Sequence, residues 1–200
     1  MRALTLIFTL AAGCHAAPAT PTAPVLAVRL SFAALSGTAG PVTVTTAILH
    51  LSWLTAVSDR TAVDARTRVD HIDLAIGDER VEALPQAPPG LYSTVNTQLD
   101  SADHVGVDVS GLYAGNSLHA TLDGGPFDVS CPEAVRLDPG MHAELGLSVD
   151  LRSWFNGIDL QSVLSDMDDR GIVITDDDNS PLADALMKNV MGSFRLSCAP

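Results

Sequence analysis

Four histidines occupy positions from which an imidazole could bind a metal ion. They are His71, His104, His119 and His142. Each falls on the polar phase of an alternating pattern. Asp73 follows His71 by two residues and Glu144 follows His142 by two residues, so each pair lies on one strand face. If these strands were neighbours, imidazoles and carboxylates would converge on copper or zinc. The alternative is that polar strand faces carry these histidines without a shared ligand.

Residues 166–177 are acidic and superficially resemble an EF-hand calcium loop, with Asp166 at position one and Gly171 at position six. Arg170 places a cation where an oxygen ligand belongs, and an Asp at position twelve is a poorer bidentate ligand than Glu. The alternative is the solvated end of a helix, followed by a turn at 176–179.

No motif of nucleophilic catalysis occurs in the sequence, which contains neither GxSxG nor SxxK nor a cysteine flanked by a base. The chain is therefore expected not to be an enzyme. Aromatic residues make up 4% of it, too few for the platforms of glycan-binding clefts. We expect the largest of them to be core or edge anchors. They are Trp53, Tyr92, Trp154 and Phe155.

The clearest chemistry is one carried out on the chain itself, at Cys14. Residues 10–14, Leu-Ala-Ala-Gly-Cys, resemble the lipobox of bacterial lipoproteins, and the apolar run before them fits a signal peptide rather than a membrane span. The resemblance implies a diacylglyceryl thioether and an acylated amino group on Cys14, enough acyl chain for stable anchoring. The alternative is an ordinary secretory signal cleaved near position 12 or 16.

The sequence divides into three parts. Residues 1–13 form the expected signal peptide, residues 14–24 the lipidated cysteine with a linker rich in Ala, Pro and Thr, and residues 25–200 one domain. His15 stands where an aspartate would mark retention at the inner membrane, which favours the outer membrane, with the domain facing either the periplasm or the surface. Beyond the covalent lipid, no cofactor is expected.

The chain is acidic, with a formal net charge of −13. Such a surface repels phosphate backbones, so nucleic-acid binding is excluded as a function. It is equally unsuited to anionic lipid headgroups, so membrane attachment would come from the lipid anchor. The expected partners are the membrane through that anchor and an unidentified envelope protein or small ligand.

Alternation of apolar and polar residues dominates the domain and predicts a mostly β fold. The longest alternating run is 141–151. Other strands are predicted at 26–32, 42–53, 72–76, 81–84, 91–99, 105–109, 117–122, 127–131 and 194–198. Short strands separated by Gly, Pro and Asp turns are typical of an antiparallel sandwich of transthyretin or immunoglobulin type.

Two short helices are predicted near the C-terminus. One follows Asp159, with apolar residues at helical spacing through Met167. The other has Ser180 as its N-cap and Pro181 in its first turn, and ends at Gly192.

Two cysteines remain when Cys14 is modified. Cys131 and Cys198 each end a predicted strand, and in an oxidising compartment they are expected to form a structural disulfide. Free thiols or a reactive site are the alternatives. On the chain-entropy account the bond stabilises the fold by roughly 4 kcal/mol.

Short motifs resemble a group of bacterial lipoproteins of unknown function that carry a transthyretin-like β-sandwich. Residues 88–92, Pro-Pro-Gly-Leu-Tyr, match the family's turn-then-strand feature, and residues 153–155 with 189–194 match its closing segments. The resemblance implies a fold and an envelope location, and it transfers no catalytic residues. We therefore expect a lipid-anchored envelope protein with a non-enzymatic binding or structural role. The alternatives are a periplasmic metal-binding lipoprotein that uses the strand histidines and an envelope enzyme without a recognisable motif.

Overall fold

The structure is a computed structural model that describes residues 25–32, 38–59, 65–69, 71–73, 79–84, 86–100, 105–164 and 171–198; at 32, 38, 71–73 and 79–80 the description covers the backbone. The protein is mostly β, as the alternation predicts. The strands are β1 (Val25–Phe32), β2 (Thr38–Ala39), β3 (Val42–Ser58), β4 (Ala65–Arg68), β5 (His71–Asp73), β6 (Glu79–Leu84), β7 (Gly90–Leu99), β8 (Val105–Tyr113), β9 (Asn116–Asp123), β10 (Pro126–Leu137), β11 (His142–Val149), β12 (Ile172–Ile174) and β13 (Phe194–Ser197). The helices are α1 (Ser180–Ser193) and two 3₁₀ helices, Leu151–Ser153 and Leu160–Val163.

The longest strand, β3, buries one face along its whole length of 17 residues. Its alternation breaks at Thr45 and again at Ser52, where one extra residue shifts the register with β8 and with β7. Each break is a β-bulge, and each returns an apolar side chain to the buried face. The strand therefore continues to Ser58, beyond the end that the sequence pattern predicts at Trp53.

The strands form two sheets. The smaller has the order β13-β11-β1-β6, and the larger has the order β10-β7-β3-β8-β9-β12, with β2, β4 and β5 along the opposite edge of β3. β8 pairs with the first half of β3, and β7 pairs with its second half. Farther from β3, β9 pairs with β8 and β10 pairs with β7. Gly124 joins β9 to β10 where a Cβ would lie 1.9 Å from the Leu99 carbonyl oxygen. Only glycine allows the two backbones to approach so closely.

Of the eleven strand pairs in the described residues, nine are antiparallel, as predicted, and two are parallel, for which the prediction was wrong. β1 pairs in parallel with β11, placing Val25 opposite His142, and β9 pairs in parallel with β12. Parallel neighbours need a long crossover, and the strands β2 to β10 separate β1 from β11 in the chain. Alternation could not reveal this, because strands of either direction have a period of two.

Both sheets contribute to one hydrophobic core, and their edges meet. β10 lies against β13 on one side and β4 lies against β6 on the other. Cys131 on β10 and Cys198 after β13 form a disulfide with their Cα atoms 6.1 Å apart, which confirms the predicted pairing. The rings of Phe127 on β10 and Phe194 on β13 also pack together, with their centroids 4.7 Å apart. A covalent and an aromatic contact thus join the edges of the two sheets.

The described residues contain one α-helix, where two helices are predicted. α1 begins at Ser180 as expected, but its N-cap is Asn179 in a left-handed conformation with φ of 61°, and it ends at Ser193. After Asp159 the chain forms only a short 3₁₀ helix, because the Asp159 side chain makes no capping bond and the Ser162 hydroxyl binds the Asp159 carbonyl. Met167 lies outside the described residues. None of the described helices is long and apolar enough to cross a membrane.

A buried hydrogen bond fixes α1 to the turn that contains Trp154. The indole N–H of Trp154 donates to Ser193 Oγ at 2.9 Å, and both residues are buried. Ser193 Oγ in turn donates to the Val190 carbonyl at 2.6 Å. Asn189 Nδ2 donates to the carbonyls of Trp154 and Asn156, so two separate parts of the C-terminal region share one network.

We expect Ser193→Ala to lower the free energy of unfolding by about 1–3 kcal/mol, because the buried indole N–H of Trp154 would lose its acceptor. Urea denaturation followed by circular dichroism would measure the loss. Ser162→Ala is a matched control, since it removes an exposed hydroxyl that also donates to a backbone carbonyl three residues earlier. Equal effects of the two substitutions would contradict a special role for the buried bond.

Candidate functional site

The structure describes the side chains of two of the four histidines, and these two lie on different sheets. His119 lies on β9 of the larger sheet and His142 on β11 of the smaller sheet, and both side chains are exposed, away from the shared core. His71 begins β5, and β3 and β8 lie between that strand and β9, which places the two strands about 14 Å apart. His104 and the side chain of His71 lie outside the described residues, so a metal site there stays a prediction.

His119 uses both of its ring nitrogens within the sheet. Nδ1 lies 3.0 Å from Ser110 Oγ, Nε2 lies 3.0 Å from Thr121 Oγ1, and the nearest carboxylate oxygen, on Asp108, is 3.8 Å away. A metal could bind this imidazole only by displacing a hydroxyl partner. In the described part of the chain, no three His, Cys, Asp or Glu side chains form a group that could hold a metal ion.

The acidic stretch is described only in its second half, since residues 165–170 lie outside the described ranges. Asp176 accepts a hydrogen bond at 2.7 Å from the backbone N–H of Asp123, which ties the stretch to the end of β9. The backbone N–H of Thr175 donates to the Asp178 carbonyl, and the N–H of Asp178 donates to Thr175 Oγ1, which closes a turn. Asn179 Nδ2 donates to the Val173 carbonyl. These contacts fit the turn interpretation of residues 176–179, while calcium binding stays a prediction.

Two surface depressions offer room for a ligand. The larger, of about 900 Å³, lies along the outer face of the smaller sheet between β1, β11 and the end of β10. Its charges are already neutralised. Arg29 Nε donates to Glu144 Oε1 at 2.6 Å, and Arg136 Nε donates to Asp138 Oδ1 at 2.8 Å.

The smaller depression, of about 420 Å³, lies on the outer face of the larger sheet, and we call it the Trp53 cleft. Residues from β3, β4, β7 and β10 line it. They are Trp53, Thr55, Arg66, Asn96, Thr97, Gln98 and Pro126. The strand register sets these side chains in two rows, with Arg66, Thr55 and Asn96 in one row and Trp53 and Gln98 in the next.

The polar groups of the Trp53 cleft retain binding capacity. The Arg66 guanidinium carbon lies 3.7 Å from the centroid of the Trp53 ring, so this cation faces an aromatic ring and not a carboxylate. Asn96 Oδ1 is buried and has no hydrogen-bond partner among the described residues. An unpartnered buried acceptor costs about 1–3 kcal/mol in the free protein. For these reasons the Trp53 cleft, although smaller, is the better candidate site.

No family model matches the chain, and no curated protein or solved structure matches it either. The candidate site therefore depends on geometry and chemistry.

Sequence reasoning missed the Trp53 cleft. It treats Trp53 as an anchor of the core or of a sheet edge, whereas the ring is half-buried and lines a depression; Tyr92, Trp154 and Phe155 are buried as expected. The available signal was the polar phase of β7, which places Asn96 and Gln98 on one face. The bulge at Ser52 decides that Trp53 shares this face, and no pattern in the sequence marks that bulge.

Ion pairs on the surface shift the pKa values of two carboxyl groups. Hydrogen bonds from the Arg29 guanidinium hold the pKa of Glu144 below its usual value, and hydrogen bonds from Arg152 do the same to the pKa of Asp150. The Arg29 and Glu144 side chains are 42% and 45% exposed, so solvent screening limits this pair to about 1 kcal/mol or less.

Glu144→Gln should reduce the free energy of unfolding at pH 7 by about 1 kcal/mol or less. Because the pKa of Glu144 is lowered in the folded state, its stabilising effect is present above the ordinary pKa of Glu and is lost as the pH falls through the lowered value. Urea denaturation would measure the difference in unfolding free energy between wild type and variant at neutral pH and again at strongly acidic pH. Glu133→Gln, which removes an exposed carboxylate on β10, is the control. A difference that persists unchanged in acid would contradict the electrostatic explanation.

Proposed function

We propose that this protein is a lipid-anchored cell-envelope protein with a non-enzymatic binding role, and that the Trp53 cleft is its binding site. The observation that carries the binding role is the convergence of an aromatic ring, a stacked guanidinium and two amides on one sheet face. Such a mixture of an apolar surface with a few polar groups is typical of small-ligand sites. The sheet beneath the cleft is hydrogen-bonded on both sides of β3, which holds these groups in fixed positions.

The envelope location has support from three parts of the chain. Residues 10–14 resemble a lipobox, residues 16–24 form an Ala/Pro/Thr spacer suited to holding a domain off a membrane, and Cys131 is bonded to Cys198. Disulfides persist in oxidising compartments such as the bacterial periplasm or the cell surface. His15 after the lipobox cysteine favours the outer membrane.

A transthyretin-like sandwich is the arrangement that we propose for the two sheets. Supporting it are the meeting of their edges and the buried ring of Tyr92, whose hydroxyl donates to the Pro88 carbonyl, as a tyrosine corner does in β-sandwiches. The closing motifs of the resembling family are also in contact here, through the bonds of Asn189 and Ser193 to Trp154.

We expect Cys14→Ala to abolish lipid attachment and to release the protein from the membrane fraction. Labelled palmitate incorporation and the intact mass of the mature chain would measure this, and Ala16→Ser, two residues beyond the lipobox, should leave both unchanged. A mature chain that begins after position 12 or 16 without added lipid mass would contradict the anchor and support the secretory alternative.

Filling the Trp53 cleft should remove its binding capacity. Thr55→Trp places a large ring within the cleft, whereas Thr43→Trp places the same ring on an exposed position of the same strand outside it. Saturation-transfer NMR with a panel of solubilised envelope polysaccharides and peptidoglycan fragments would measure binding. At least one should bind the wild-type protein and Thr43→Trp but not Thr55→Trp. Binding by none, or equal binding by all three proteins, would contradict the proposed site.

A further inference from the structure

We propose that the β4 end of the Trp53 cleft is an oxyanion site, where the guanidinium of Arg66 binds a carboxylate or phosphate group of a small ligand. This inference rests on the proposed function, because it names the ligand class of the same cleft. It goes further by assigning the charged group of that ligand and the end of the cleft at which this group binds.

The guanidinium of Arg66 is held by an aromatic ring and not by a carboxylate. Its carbon lies 3.7 Å from the centroid of the Trp53 ring, while the side chain stays exposed. It forms no ion pair with a carboxylate of the described residues. A stacked guanidinium keeps its N–H groups along its edge, where two of them match a pair of oxygens. Because the stacking restricts this long side chain before a ligand arrives, binding costs less conformational entropy.

The strand register brings a second arginine to the same end of the cleft. Two rows of side chains cross the sheet from β4 to β10, and each row begins with an arginine. The first row is Arg66, Thr55, Asn96 and Asp128, and the second is Arg68, Trp53, Gln98 and Pro126. The Cα atoms of Arg66 and Arg68 are about 7 Å apart along β4, both side chains are exposed, and neither pairs with a described carboxylate. In a chain with a net charge of −13, this end is a local site for an anion.

Negative charge lies on the other side of the cleft. Asp128 ends the row that Arg66 begins, three strands and about 14 Å away, and its side chain is exposed. On the β7 side, Asp100 Oδ2 accepts a hydrogen bond from Gln98 Nε2 at 3.0 Å. An anion is therefore attracted to β4 and repelled from β10, which directs the charged group of the ligand to Arg66.

The lining between these two ends favours an oxyanion over a cation. Arg66 is the one charged residue among those that line the cleft in the described part of the chain. Thr55 carries a hydroxyl, and Gln98 Nε2 keeps a second N–H beyond the one bonded to Asp100, so both can donate to an oxygen. Asn96 Oδ1 takes no part, because it is buried and can only accept. A volume of about 420 Å³ is near the lower end of small-ligand sites, so the ligand is expected to be small.

The two tryptophans of the chain provide both the probe and its internal reference. The Trp53 ring contacts Arg66, whereas the indole N–H of Trp154 is buried and bonded to Ser193. The test is an NMR titration of the full-length protein in detergent, at neutral pH and constant ionic strength, with inorganic phosphate or with acetate. Each anion should shift the Trp53 indole signal with saturation and leave the Trp154 signal in place. Acetamide, the neutral counterpart of acetate, should shift neither, and Trp53→Phe identifies the two signals.

The Arg66→Gln variant should bind either anion about tenfold more weakly or worse, because it loses the charge-assisted hydrogen bonds. Since Arg66 is exposed, this variant should keep the wild-type melting temperature. Lys188→Gln, which removes one exposed positive charge on α1, is the matched control and should leave both affinities unchanged. Tighter binding of phosphate than of acetate would assign the natural ligand to phosphate esters, and the reverse order would assign it to carboxylic acids.

An unmoved Trp53 signal with both anions, an equal shift with acetamide, or unchanged binding by Arg66→Gln would each overturn the proposal. The saturation-transfer panel separates this failure from a failure of the proposed function. If a member of that panel binds in a manner blocked by Thr55→Trp while neither anion moves the Trp53 signal, the cleft is a binding site and the ligand class is wrong. If nothing binds, the proposed site and its ligand class fail together.

Discussion

The continuous pairing of β3 is the constraint on which the rest of the structure depends. One edge of this strand of 17 residues pairs with β8 and then β7, and the other edge pairs with β2 at 42–43, with β5 at 48–50 and with β4 at 53–56. A slip of one residue would turn every side chain of such a strand to the opposite face. The bulges at Thr45 and Ser52 therefore allow a single strand to bury apolar residues over a length that a strictly alternating strand of this sequence could not.

The second requirement is that the edges of the two sheets stay together. Strand edges with unpaired backbone groups tend to pair with other chains, and here β10 meets β13 through the Cys131–Cys198 disulfide and the Phe127–Phe194 contact. The C-terminal segment is fixed separately by the buried bond between Trp154 and Ser193. Covalent and aromatic contacts thus join the sheet edges, and a polar contact holds the C-terminal segment.

Residue patterns predicted the fold class well and the connectivity poorly, for physical reasons. The run that contains β11 has strict alternation, and its burial follows the prediction from Leu145 to Val149. The parallel partner of β11 could not be predicted, because pairing direction depends on contacts with β1, more than a hundred positions away in the chain. Local rules also failed after Asp159, where the Ser162 hydroxyl competes for a backbone carbonyl. The disulfide was predictable because, once Cys14 is set aside, the two remaining cysteines leave one pairing.

The candidate site could not be predicted either, because its residues come from strands that lie far apart in the sequence. A binding role for this site must also be distinguished from a purely structural role of its arginines. Arginines on a short outer strand such as β4 protect a sheet from pairing with other chains, and this alone would explain exposed residues at 66 and 68. Edge protection, however, requires neither a guanidinium stacked on Trp53 nor a buried carbonyl oxygen on Asn96 without a partner. A guanidinium stacked on an aromatic ring keeps N–H groups along its edge, and these can bind an anion. The stacking of Arg66 on Trp53 is therefore a stronger indication of a binding role than charge alone, which on this face would have a structural explanation.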